Sequence, residues 1–126
     1  MTEAINLADC FRRIPEPWSP RIVGELNCQH VKLARFSGEF VWHQHEEEDE
    51  LFLVVRGRLE MHLRDRIVTI EPGEFFIVPR GVEHCPVAPV DTEVLLFEPA
   101  STRNTGDQEN ERTVEAKPLE APQSDS

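Results

Sequence analysis

Tyrosine is missing from the 126-residue chain, and cysteine is scarce, with three residues. The cysteines Cys10, Cys28 and Cys85 are an odd number without a C-x-x-C spacing. The sequence therefore predicts neither a disulfide framework nor a thiolate zinc site, and a reducing cytoplasm fits best. The missing tyrosine excludes any enzyme mechanism that needs a phenolic base.

The sequence also contains no long apolar run and has fewer basic than acidic residues. No run approaches the ~20 apolar residues of a membrane span, and the N-terminal MTEAINLADC lacks the basic and apolar regions of a signal peptide. The 13 basic and 24 acidic residues give a formal net charge of −11, which repels phosphate backbones and anionic lipids. We expect a cytoplasmic protein with neither nucleic acid nor membrane as a partner.

The composition changes twice along the chain. Residues 1–20 hold one short helix after the N-cap candidate Asn6, followed by the helix-breaking PEPWSP. Short apolar runs separated by turns fill residues 21–100 and predict an all-β sandwich or barrel. Residues 101–126 are polar and cannot bury enough surface to offset their ordering entropy, so they predict a mobile tail.

After its first residue, a glutamate, the run ELFLVV is apolar on both faces of its predicted strand. Something must therefore cover its outer face. The N-terminal segment or a second subunit would do so, and Trp18, Phe40 and Trp42 are candidates for that contact. A homodimer is the preferred interpretation.

The stretch HQHEEEDE raises the question of a metal site. Period-two alternation directs His43 and His45 to one face of a strand. If the chain reverses through EEED, Glu50 returns to the same interior, and His84 stands at the mouth of a later strand. Three imidazoles and one carboxylate suit iron, manganese, nickel, copper or zinc better than calcium or magnesium.

Other polar residues have simpler explanations. The acids at 46–49 are expected to form a solvated loop, and His30 and His62 lie on mixed or polar faces that do not favour ligation. Cys85 is expected to be a small buried hydrophobe. Arg80 is expected to be a turn residue, with anion binding as the alternative.

The spacing of these residues resembles the two sequence motifs of the cupin family. The first motif, G-x4-H-x-H-x4-E-x6-G, runs from Gly38 to Gly57, and the second, G-x5-P-x-G-x2-H, runs from Gly73 to His84. The chain departs from the family pattern in the placement of its first glycine and in having Ala88 where asparagine is usual. Neither position supplies a metal ligand. The chain is thus similar to small single-domain bacterial cupins, including mannose-6-phosphate isomerase-like cupin proteins.

The resemblance implies an all-β fold, a double-stranded β-helix with a short N-terminal helix. It also implies that four side chains bind one divalent transition metal (Fe, Mn, Ni, Cu or Zn) inside the barrel. These are His43, His45, Glu50 and His84.

A cupin fold does not by itself determine the chemistry. Alternation directs mainly apolar side chains into the predicted pocket, which suits a small, partly apolar ligand or substrate. These are Val41, Phe52, Val54, Leu59, Met61 and Leu63. The pattern favours a metal-dependent oxygenase acting on a small diol, enol or keto compound. The alternatives are a non-catalytic metal-dependent binding or sensing module and a sugar isomerase-like enzyme, although no phosphate-binding cluster supports the isomerase.

Overall fold

A computed structural model of the protein describes residues 3–119. The helix α1 spans Leu7–Arg12. The strands are β1 (Arg21–Leu26), β2 (Gln29–Glu39), β3 (Glu50–Arg56), β4 (Leu59–Leu63), β5 (Ile67–Ile70), β6 (Phe75–Val78), β7 (His84–Pro99) and β8 (Lys117–Pro118). None of the helical structure within 3–119 is long and apolar enough to cross a membrane.

The N-terminal helix begins where the sequence predicts it. Asn6 caps α1, because its side-chain Oδ1 accepts a hydrogen bond of 2.9 Å from the Asp9 N–H. Cys10 and Phe11 on the apolar face of the helix, together with Ile14 just after it, are buried against Leu33 and pack on Val55 and Leu95. The N-terminal segment thus covers part of the outer face of β3, which is one of the two covers that the sequence allows.

The long strand β7 joins the two layers of the barrel. Its first residues pair with β4 over 60–63, and its last residues pair with both β2 and β3. Between the two halves the exposed residues Val90 and Asp91 mark the passage from one layer to the other. The runs HCPVA and TEVLLFEP, which read as separate strands in the sequence, are therefore one continuous element.

The hydrophobic core fills the space between the layers, where the inward side chains of β2, β3, β4 and β7 meet. Phe52, Val54, Leu59 and Met61 are fully buried there, as alternation predicts, whereas Val41 and Leu63 are half-buried. The predicted all-β fold with a short N-terminal helix is confirmed.

The segment after β7 lies against the barrel. Thr102 and Thr105 are buried, and β8 pairs in parallel with β1. The Asp107 carboxylate accepts a hydrogen bond of 3.0 Å from the Gln44 N–H, and the Asp107 N–H donates one of 2.9 Å to the Gln44 carbonyl. These contacts place the segment beside HQHEEEDE. Its mobility and the three-part division of the chain stay predictions, and residues 120–126 lie outside the described range.

Candidate metal centre

The structure brings His43, His45, Glu50 and His84 into one buried cluster. One ligand atom from each side chain lies within 4.8 Å of the other three. Bonds of about 2.0–2.2 Å to a shared ion would bring such atoms within roughly 4.4 Å of one another. A small inward adjustment of the side chains therefore suffices to coordinate one ion.

Backbone pairing connects the two motifs that supply these residues. The His43 N–H donates to the His84 carbonyl at 3.0 Å, and the His84 N–H donates to the His43 carbonyl at 2.9 Å. The Gly81 N–H donates to the His45 carbonyl at 2.7 Å. The acids at 46–49 form bends that lead into β3, at whose first position Glu50 faces the interior.

Two of the imidazoles are oriented in the same way, by a hydrogen bond to the backbone carbonyl two residues earlier. Nδ1 of His43 lies 2.9 Å from the Val41 carbonyl, and Nδ1 of His84 lies 2.9 Å from the Val82 carbonyl. A carbonyl only accepts hydrogen bonds, so each Nδ1 carries a hydrogen, and Nε2 of the neutral ring has a free lone pair. This tautomer is the one that presents Nε2 to a metal.

The atoms that face the centre of the cluster lack ordinary partners. Oε1 of Glu50 lies 3.1 Å from Nε2 of His45 and 3.4 Å from Nε2 of His84, yet all three are buried without a well-formed hydrogen bond. Buried polar groups are rarely left unsatisfied, and a bound ion is one explanation when they are. The donor set therefore fits a divalent transition metal.

The electrostatics of the cluster also suit a cation. Burial and the neighbouring His84 lower the pKa of His43 to about 4, so its imidazole is neutral at neutral pH. Burial alone would raise the pKa of Glu50, but contacts with Glu98, His45 and His84 hold it well below its usual value. Burial opposes protonation of His45, yet the Glu50 carboxylate raises the pKa of this histidine. The Glu50 carboxylate therefore favours a proton on His45, which a metal bound there would displace.

A narrow cavity of about 30 Å³ adjoins the cluster. Its aromatic wall is formed by Trp18, Phe36, Phe40 and Phe52, and Glu98 and Asn104 add polar groups. Trp18 stacks on Phe36 and Phe40, with ring centroids 4.3 and 4.7 Å away. Of the residues predicted to face the pocket, Phe52 lines this cavity. Trp18 and Phe40, which the sequence suggests as subunit contacts, line it too, and Trp42 instead lies 3.8 Å beneath the Arg64 guanidinium.

Sequence reasoning missed two buried charged residues, Lys32 and Glu98. Nζ of Lys32 lies 2.9 Å from Oε1 of Glu98, and Glu98 also contacts Glu50. Burial and the charge of Glu50 raise the pKa of Glu98 well above its usual value, and the nearby Lys32 opposes this shift. Strand alternation could have identified both residues. Lys32 lies on the same strand face as Ala34, and Glu98 lies on the same strand face as Leu96.

The remaining polar candidates lie outside the cluster. Nε2 of His30 is 3.5 Å from Glu25, and Nε2 of His62 is 3.4 Å from Glu60. Burial raises the pKa of the Cys85 thiol to about 11, as does the nearby Glu39, so this cysteine is a protonated, buried side chain.

The loop and turn assignments also agree with the structure. Most of the acids at 46–49 are exposed, and Arg80 is an exposed turn residue. The Arg80 backbone N–H donates to the Asp49 carboxylate at 2.9 Å. Its turn role is thus structural, since it holds the end of the acidic loop next to the second motif.

These features define a cupin, and the comparisons with known proteins agree. The family model for the cupin domain matches residues 30–98, so the chain belongs to the cupin family. It is 31% identical over 85 residues to the protein YdbB of Bacillus subtilis. The aligned residues make up 67% of this chain and 75% of YdbB.

Solved structures share the fold. A cupin-2 domain containing protein from Shewanella frigidimarina is 41% identical, with a TM-score of 0.75 over 76% of this chain and 94% of that one. KdgF from a Halomonas species is 30% identical, with a TM-score of 0.55 over 64% of this chain and 78% of that one. The mannose-6-phosphate isomerase-like subgroup that the sequence suggests is not specifically indicated by these matches.

Proposed function

We propose that this cupin is a metal-dependent oxygenase that acts on a small, partly apolar organic molecule. The observation that carries the proposal is the joining of the four-ligand cluster to an aromatic cavity. His43, His45, Glu50 and His84 would hold the ion, and iron bound there would supply the redox chemistry that activation of dioxygen requires.

The protein's own side chains would contact a small substrate next to the cluster, and the cavity of about 30 Å³ must widen to admit it. The rings of Trp18, Phe36, Phe40 and Phe52 exclude water from one side of the cavity and offer flat apolar contact. Glu98, whose buried Oε2 has no hydrogen-bond partner within residues 3–119, supplies the polar group that would orient a hydroxyl of the substrate. Among the described residues that line the cavity, none is lysine or arginine, so a sugar phosphate is a poor fit.

The first test is the metal content of protein purified without chelators, measured beside the His45→Ala variant. We expect near-stoichiometric metal in the wild type and loss of that metal in the variant. Absence of metal from both proteins, even after reconstitution with iron(II) under anaerobic conditions, would contradict the proposal.

The second test separates catalysis from binding. The iron-loaded protein is screened for dioxygen uptake with small diols, enols and ketones, and the products are identified by mass spectrometry. Uptake matched by product supports the oxygenase. Stoichiometric ligand binding without product would instead identify a metal-dependent binding or sensing module.

A further inference from the structure

A second and larger cavity lies between the barrel and the C-terminal segment. It measures about 530 Å³ and is lined by residues of β1 and β2 on one side and by residues from the range 100–116 on the other. Small-molecule sites in proteins typically measure roughly 300–1,000 Å³. Within residues 3–119, none of the four side chains of the metal cluster lines this cavity. It is therefore separate from the candidate metal centre.

The inner wall of this cavity carries two polar side chains from alternate positions of β2. His30 and Lys32 both line the cavity, and their side chains are 15% and 3% exposed. Side chains on the same face of a strand follow one another at a spacing of about 7 Å. The two groups can therefore contact one small ligand together.

Both side chains have hydrogen-bonding capacity that the described part of the chain does not use. Nδ1 of His30 is buried and has no hydrogen-bond partner there. A lysine ammonium group has three N–H donors. Within residues 3–119, Lys32 donates to Glu98 at 2.9 Å and to the Thr102 carbonyl at 3.4 Å, which leaves one donor. Buried polar groups rarely lack partners, and a ligand in the cavity would supply them.

The charges around the cavity do not favour an ionic ligand. At its exposed rim Arg103 is outnumbered by Glu109 and Glu115, and the whole chain has a net charge of −11. An anion would therefore be repelled as it enters, whereas a cation would meet Lys32 at the inner wall. A ligand without net charge avoids both penalties.

Hydroxyl groups match the polar atoms of the cavity. A hydroxyl both donates and accepts, so it can pair with Nδ1 of His30 in either tautomer of the ring, and it can accept the remaining N–H of Lys32. At the rim, Arg103 offers donors, and Glu109 and Glu115 offer acceptors, to further hydroxyls. We propose that this cavity is a second binding site, which takes a small uncharged polyhydroxylated compound.

The test uses two six-carbon polyols, myo-inositol and sorbitol, titrated into the full-length protein labelled with nitrogen-15. We expect saturable changes in the backbone amide signals of residues that line the cavity, with the same affinity in the presence and absence of zinc(II). Succinate, the anionic comparison, should leave these signals unchanged. No saturable change with either polyol, or stronger binding of succinate, would overturn the proposal.

His30→Phe keeps an aromatic ring on β2 and removes both ring nitrogens. We expect this variant to bind the polyols about 10-fold more weakly, because it loses a buried hydrogen-bonding group. His62→Phe is the matched control, since His62 lies on β4 beside Glu60 and belongs to neither wall of the cavity. Full affinity in His30→Phe, or an equal loss in the two variants, would contradict the assignment.

Ala116→Leu decides the matter if His30→Phe does not fold. Ala116 lines the same cavity, and a larger side chain there would occupy part of its space. Weaker polyol binding than in the wild type supports the inference, and unchanged binding overturns it. Because none of these measurements depends on metal content, failure of the metal site would leave this second site untouched.

Discussion

His84 has no exposed surface and comes from the second motif, far from the other ligands in the chain. Its replacement by alanine removes one of four donors and leaves Glu50 facing an empty space. We expect the metal affinity of His84→Ala to fall by more than about 100-fold, since even residues behind the ligands are worth 10- to 100-fold. Equilibrium dialysis with elemental analysis measures the effect.

The His62→Ala variant is the matched control for this substitution. His62 is half-buried on β4, and its ring approaches Glu60 rather than the cluster. It should retain the metal affinity of the wild type. Equal metal loss in the two histidine variants would contradict the ligand assignment.

The lowered pKa of His43 makes a second prediction at the level of one residue. Its pKa is about 4 in the folded metal-free protein and near 6.5 in the unfolded chain. Between these pH values the unfolded state binds a proton that the folded state does not bind. The contribution of His43 to stability is therefore present above pH 6.5 and is lost as the pH falls toward 4.

The size of this effect is about 3 kcal/mol at most, from the shift of the pKa. Urea unfolding of the metal-free wild type and of His43→Gln across this pH window measures it. We expect the wild type to lose more stability than the variant on acidification, because glutamine does not titrate. Parallel pH profiles would show that the histidine is not held neutral.

At the scale of elements, local patterns predicted some features and not others. Asn6 and the apolar spacing after it predicted α1, and period-two alternation predicted that Phe52 and Met61 are buried. Alternation acts between adjacent residues, so it is visible without knowing the fold. It could not show that two runs form the single strand β7, because that continuity depends on which strands pair.

The candidate site also combines features that local sequence patterns predict with features that depend on which strands pair. Alternation could bring His43 and His45 to one face, but His84 reaches them through backbone pairing between distant segments. The motif resemblance supplied that connection in advance. Lys32 and Glu98 were overlooked because charged side chains are usually exposed, and only the packed barrel shows that these two approach to 2.9 Å in its interior.

Gly106, in the segment after β7, leads to a separate prediction. This glycine has φ +57°, and a Cβ placed there would lie 2.2 Å from the Gln44 carbonyl oxygen and 3.0 Å from Cδ2 of His43. Alanine would therefore displace the turn from its place beside the metal cluster. We expect Gly106→Ala to lower both the free energy of unfolding and the metal affinity, measured by urea unfolding and cobalt titration.

The Gly73→Ala variant is the control that distinguishes displacement of the turn from the effect of backbone strain. Gly73 also has a positive φ, +84°, but a Cβ there would meet nothing within 4 Å. This control should lose about 1–2 kcal/mol of stability from the left-handed backbone alone and keep its metal affinity. If Gly106→Ala also keeps full affinity, the turn does not support the site.

At the scale of the whole molecule, the homodimer expected from the sequence stays a prediction, and β6 is the surface that favours it. This strand pairs with β3 alone among the described strands, so its other edge is open. Phe75 and Ile77 on its outer face are 60% and 47% exposed, and their partners Leu53 and Leu51 are half-buried. The strand carries no charge, which matters for two chains that each bear a net charge of −11.

A second copy of the chain could bury this apolar face and pair its open edge, as in two-fold symmetric assemblies. We therefore expect the wild type to sediment as a dimer and Phe75→Glu to sediment as a monomer, because the substitution places two buried carboxylates at the interface. Ile67→Glu is the control, since Ile67 is 56% exposed on β5 at another edge of the barrel. It should leave the dimer intact. A monomeric wild type, or dissociation by Ile67→Glu and not by Phe75→Glu, would show that β6 is not the interface.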